Sequence, residues 1–117
     1  MDTIVVEGGR ALEGAVDVSG AKNAALPLLF STLLTGERCA IRNVPRVADV
    51  RTAIAVLRHL GAKVSTGPDG RDVLVEAAEI TATEAPYDLV KTMRASFLVL
   101  GPLLARFGKA RVSTPGG

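Results

Sequence analysis

Ser19-Gly20-Ala21-Lys22-Asn23-Ala24-Ala25-Leu26-Pro27 is the stretch best suited to chemistry. It sets a lysine and an asparagine at the mouth of an apolar helix, just after a strand-like run and a glycine. Free backbone N–H groups point out of a helix start, and the helix dipole adds partial positive charge there. Lys22 brings a full charge on a flexible stem, and Asn23 brings donors and an acceptor in one amide. A phosphate or a carboxylate is the natural guest. Local chemistry alone also allows a plainly solvated lysine.

A second group of cations lies further on. From Asp88 to Gly117 the bases Lys91, Arg94, Arg106, Lys109 and Arg111 face Asp88 as the only acid. That balance suits an anionic ligand, or a basic face compensated elsewhere. Lys91 and Arg94 are three apart, which on a helix places them on one face. The planar fork of Arg94 matches phosphate oxygens in pairs. The alternative is a pair of solvated cations. Cys39 shares an apolar strand face with Ile41 and reads as a buried structural thiol. His59 reads as a surface residue. Gly8-Gly9 and the glycines from Gly67 to Gly70 match neither a P-loop nor a dinucleotide fingerprint.

These residues need elements to position them. Thr3 to Glu7 and Ala15 to Ser19 have the pattern of two strands. Asn23 to Leu34 is apolar almost all round, as a mostly buried helix is, with Pro27 in its first turns. Arg38 to Val44 alternates as a strand. Val47 to Leu60 has helical spacing at Val50, Ile54, Leu57 and Leu60, with Asp49 as N-cap and Gly61 as stop. Ala62 to Ser65 and Asp72 to Glu76 flank a Gly-Pro-Asp-Gly turn and form a hairpin. Asp88 to Leu100 reads as a helix with Met93, Phe97 and Leu100 inward and Leu104 continuing the stripe. Gly101-Pro102 breaks or kinks it, and Lys109 to Thr114 closes the order as a strand. This alternation is α/β.

Composition narrows the classes. The chain has 117 residues, 48% hydrophobic and 22% charged, a globular mixture of about one small domain. Aromatics are 3% and the net charge is +2, which argues against nucleic acid as a partner. One cysteine and one histidine leave no internal disulfide and no His/Cys metal site. No apolar run reaches membrane-spanning length and no signal pattern opens the chain, so a cytoplasmic location away from membranes is expected.

Three motifs, SGAKNAALPLLF, PYDLVKTMRASF and GPLLARFG with a closing PGG, resemble the N-terminal part of the UDP-N-acetylglucosamine 1-carboxyvinyltransferase family of enolpyruvyl transferases. The resemblance implies a two-domain α/β fold of repeated βαβαββ units with buried helices, an inside-out α/β barrel. Residues 1–21 would be a hairpin of the second domain, and 22–117 the first part of the catalytic domain, incomplete at Gly117. The implied reaction moves the enolpyruvyl group of phosphoenolpyruvate to the 3-hydroxyl of UDP-N-acetylglucosamine and releases phosphate, in the first committed step of peptidoglycan synthesis. Lys22 and Asn23 match the positions that hold phosphoenolpyruvate, with Lys22 also catalytic, and Arg94 matches the arginine on the nucleotide-sugar. Lys91 matches a motif position with no ligand assigned. No metal or organic cofactor is implied. Pro115-Gly116-Gly117 resembles the start of a mobile loop whose next residue, usually cysteine and sometimes aspartate, is the general acid. The 117 residues alone are therefore expected to be inactive and to need the remaining C-terminal segment. Two rivals stay open: the shikimate-pathway enolpyruvyl transferase, which usually has Ser-Lys-Ser where Ala-Lys-Asn stands here, and a non-catalytic anion-binding module.

Overall fold

The computed structural model describes residues 1–114; the Pro-Gly-Gly motif at 115–117 lies outside them. Ordered elements begin at Lys22. Helix α1 (Lys22–Ser31) runs into a 3-10 turn at Thr32–Leu34, followed by β1 (Arg38–Ile41), α2 (Ala48–Leu60), β2 (Lys63–Thr66), β3 (Val73–Glu76) and β4 (Glu84–Ala85). A single turn, α3 (Tyr87–Val90), precedes a 3-10 helix at Arg94–Val99, then α4 (Leu100–Phe107) and β5 (Arg111–Val112).

Strand β3 lies between β1 and β2 and is antiparallel to both, so the strands flanking it run parallel to each other. Helix α2 makes the crossover between them. The middle slot of this split βαβ unit is filled by the returning arm of the β2–β3 hairpin. Register places Cys39 and Val64 on either side of Val75, and Ile41 and Thr66 on either side of Val73. Val73 and Val75 are fully buried, whereas Leu74 faces out. The apolar stripe of α2 (Val50, Ala53, Ile54, Leu57 and Leu60) packs into the same core with Leu26, Leu29, Phe30 and Leu33 from α1 and its 3-10 turn. A second, parallel pair joins β4 to β5.

Helix α2 ends at Gly61 (φ +112°) in a Schellman closure. The amide of Gly61 donates to the Arg58 carbonyl (3.1 Å), and that of Ala62 donates to the Leu57 carbonyl (3.0 Å). A Cβ at Gly61 would lie 2.8 Å from both the Glu79 carbonyl oxygen and the Thr81 amide nitrogen. Gly61→Ala is expected to destabilise the fold by about 2 kcal/mol, from the left-handed backbone and the crowding together. A fall in the urea unfolding midpoint checks it.

Several expectations need correction. The two opening strands do not form: among the described residues no helix or strand precedes Lys22, and Ile4, Val5, Val6, Val16 and Val18 are all exposed. Their alternation suits a ladder, but a ladder needs a partner sheet, and a lone two-stranded hairpin is marginal. Helix α1 buries Ala25, Leu26, Leu29 and Phe30 but exposes Leu28, so its all-round apolarity exceeds what this core covers. Pro27 is the sixth residue of α1, in the second turn, where it cannot donate to the Asn23 carbonyl. Cys39 is half-buried, because β1 is an edge strand, and its thiol sits 3.7 Å from the Glu37 carbonyl.

The largest departure lies at 88–100. The expected single helix is broken at Lys91–Met93, where Met93 is extended (φ −140°, ψ +108°), and the chain resumes as a 3-10 helix at Arg94. The buried residues are Val90, Met93, Ser96 and Val99, every third position, which is the period of a 3-10 helix. Phe97 and Leu104, placed inward by an α-helical period, are about half exposed. Gly101-Pro102 does not break α4 either. It falls in the first turn of α4, where the fixed φ of proline suits a helix.

Candidate active site

Helix α1 opens without a cap. Ala21 occupies the N-cap position and has no side-chain oxygen to offer. Its carbonyl accepts from the amides of Ala24 (3.2 Å) and Ala25 (2.9 Å), so the amides of Lys22 and Asn23 stand ahead of the first helical bond. Gly20 fixes where this start lies. A Cβ there would overlap the carbonyl oxygen of Asn43 and come within 3.1 Å of Pro45 Cδ. The bare α-carbon therefore lets the entry to α1 pack directly on the loop between β1 and α2.

That loop leads into α2, whose first turn carries Asp49. The Asp49 carboxylate is 3.1 Å from the Lys22 ammonium. The pattern of the sequence makes Asp49 the cap of α2, but Val47 holds the N-cap position with no side-chain bond. This frees the carboxylate for the neighbouring helix. The two helix starts thus meet through one ion pair, its side chains 50% and 31% exposed. In that setting the pair contributes little to the stability of the fold.

An open cleft of about 320 Å³ lies beside this pair. Its lining includes Lys22, Asn23 and Asp49 from the starts of α1 and α2, Thr92 and Arg94 from the segment after α3, and the buried residues Leu26 and Met93. The break at Lys91–Met93 makes this possible, because it turns the chain so that Arg94 begins a new helix at the cleft edge. All three residues singled out as binding groups, Lys22, Asn23 and Arg94, line the same cleft. Two cations against one carboxylate, with open amides at a helix start, give the cleft a positive balance of the kind that suits a small anion.

The rest of the basic stretch does other work. Lys91 does not share a face with Arg94. It pairs with Asp88 at 3.4 Å and lies 5.9 Å from the ring centre of Tyr87. The Arg106 guanidinium donates to the carbonyls of Leu33 (3.1 Å), Thr35 (3.2 Å) and Ala77 (2.7 Å) through Nη1, and to Ala78 (3.5 Å) through Nη2. It is thus a structural clamp. His59 is exposed, as expected. Among the described residues no cluster of histidine, cysteine and carboxylate groups could hold a metal ion, and no helix is long and apolar enough to cross a membrane.

Comparison with known proteins gives the arrangement a lineage. Residues 6–117 match the EPSP synthase (3-phosphoshikimate 1-carboxyvinyltransferase) family. The chain belongs to the EPSP synthase family. Among curated proteins it is 59% identical over its whole length to the UDP-N-acetylglucosamine 1-carboxyvinyltransferase of Anaeromyxobacter sp. strain K. It is 56% identical over its whole length to the protein of that name from Desulfosudis oleivorans. It spans 28% of each of these relatives. Among solved structures, the enolpyruvyl transferase NikO from Streptomyces tendae superposes with a TM-score of 0.74 at 27% identity, covering 88% of this chain and 24% of that one. The α/β architecture expected from the sequence is thus that of the family, present here in part.

The residue that sequence reading leaves out of the site is Asp49. Its signal is ambiguous: an acid in the first turn of a helix can satisfy that helix or a lysine opposite, and spacing alone does not say which.

Proposed function

We propose that this chain supplies part of the active site of an enolpyruvyl transferase that joins phosphoenolpyruvate to the 3-hydroxyl of UDP-N-acetylglucosamine and releases phosphate, early in peptidoglycan synthesis. The observation that carries the reading is the convergence of Lys22, Asn23 and Arg94 on one cleft. Phosphoenolpyruvate carries a phosphate and a carboxylate on a three-carbon frame. Lys22 neutralises one of them, while the open amides of α1 and the Asn23 side chain engage the other. The vinyl carbon takes a proton and its neighbour, now cationic, bonds to the sugar 3-oxygen, which gives up its own proton; the held phosphate then departs with the C–O electron pair as the methyl carbon returns a proton and the vinyl group is restored. Arg94, from the segment after α3, offers its fork to the phosphates of the nucleotide-sugar. The proton donor is assigned to polypeptide following the Pro-Gly-Gly motif. Residues 1–21 are assigned to a second domain, whose sheet would cover the exposed valines and isoleucine of that segment.

The family description names a shikimate-derived acceptor, and that favours a second reading with the same fold. Against it stand Ala-Lys-Asn at the helix start and the relatives named for UDP-N-acetylglucosamine.

The test uses a full-length chimera in which this chain replaces the matching 28% of the Anaeromyxobacter relative. Phosphate release from phosphoenolpyruvate with UDP-N-acetylglucosamine, and none with 3-phosphoshikimate, is the expected result. The reverse preference would establish the second reading. Arg94→Ala in this chimera is expected to raise KM for UDP-N-acetylglucosamine about tenfold, the loss of one charge-assisted contact, with little change in KM for phosphoenolpyruvate.

A further inference from the structure

We propose that Asp49 is a positioning residue for Lys22, fixing the lysine ammonium over the cleft before an anion arrives and sharing it afterwards. The inference rests on the functional reading above and adds a residue to it. Lysine is a point charge on a four-carbon stem, so a helix-start lysine left to itself samples many rotamers. Here the stem is directed across to α2, and the ammonium is held 3.1 Å from a carboxylate that is itself fixed in the first turn of that helix. Asp49 also lines the cleft with Lys22, Asn23 and Arg94, so the held ammonium and the guanidinium border one space.

The carboxylate has a second effect, opposite in sign to the first. It is a negative charge beside an anion site, and it weakens binding of a phosphate more strongly the closer the two lie. Removing it therefore strengthens anion binding while releasing the lysine from its place. Catalysis depends on placement at the reacting atoms more than on affinity. The two effects separate in kinetics: kcat falls, while KM for phosphoenolpyruvate stays the same or falls.

Two measurements on the full-length chimera test this, with Asp49→Asn as the variant and Asp49→Glu as the conservative control. The first is labelling by acetic anhydride, followed residue by residue in the mass spectrometer. Acylation goes through the free amine, and contact with a carboxylate has to be given up before that amine reacts. Asp49→Asn is expected to speed labelling of Lys22 about threefold, within the range a partly exposed ion pair can give, while the exposed Lys63 and Lys109 label at their former rates. The second is steady-state kinetics. Asp49→Asn is expected to lower kcat about tenfold with an unchanged or lower KM for phosphoenolpyruvate, and Asp49→Glu to recover most of the rate. Unchanged Lys22 labelling would overturn the proposal, as would a kcat within about twofold of the unmutated chimera. Absence of turnover by the unmutated chimera would strike the functional reading instead. The labelling comparison would still decide whether Asp49 holds Lys22.

Discussion

Lys22→Met is expected to lower kcat/KM for phosphoenolpyruvate about a hundredfold or more in the full-length chimera, the loss of a charge-assisted contact at the reacting group. Methionine keeps an unbranched apolar stem, one heavy atom shorter than that of lysine, and removes the charge and its donors. The side chain is half exposed, and its one ion pair among the described residues is with Asp49, so the fold loses little. The unfolding midpoint is expected to stay close to that of the parent. Equilibrium binding of phosphoenolpyruvate, measured alongside thermal unfolding, checks both halves. Undiminished binding by a well-folded variant would remove the basis for reading this cleft as the anion site.

Arg106→Ala is expected to have the opposite profile, a large loss of stability with no direct effect on ligands. One guanidinium ties the end of the 3-10 turn after α1 to the segment leaving β3, through the carbonyls of Leu33, Thr35 and Ala77 within 3.2 Å. Leu33 and Ala77 are fully buried residues, so their carbonyls have little access to water as a replacement. Leaving such acceptors unpaired costs about 3 kcal/mol. Arg106→Lys is expected to recover only a minor part, since a single ammonium cannot reproduce the geometry of the planar fork. Phe107, whose ring centre is 4.9 Å from the guanidinium, adds a cation–π contact that the lysine variant would keep only weakly. Urea unfolding of the chimera and its variants measures the effect.

These two cations show how far residue type alone can be read. Both belong to recognisable motifs, and by charge both are candidates for anion binding. The place of Lys22 at a helix start is legible because an apolar run follows a glycine, a local signal that chain spacing carries. The role of Arg106 is not, because its acceptors are backbone carbonyls 28 to 73 positions away, and backbone groups look alike in every sequence. The α2 helix and the β2–β3 hairpin are legible for the same reason as Lys22. A strong period of 3.6, a glycine stop and a Gly-Pro-Asp-Gly turn are all local. The stretch at 88–100 misleads because its apolar residues fit two periods. Met93 belongs to both, and only packing selects Val90, Ser96 and Val99 over Phe97 and Leu100. The opening strands fail for a third reason: alternation reports that a segment suits a sheet, not that a sheet lies within reach.

The contact at Gly20 has a mechanical consequence. Because no side chain separates the approach to α1 from the Asn43 carbonyl, the segment before one helix rests on the loop that launches the other. The amine of Lys22 and the carboxylate of Asp49 therefore stand on two helices whose approaches share one backbone seam. A side chain at position 20 could be housed only by prising that seam open, so the spacing of the ion pair is set in part by a residue that carries no functional group.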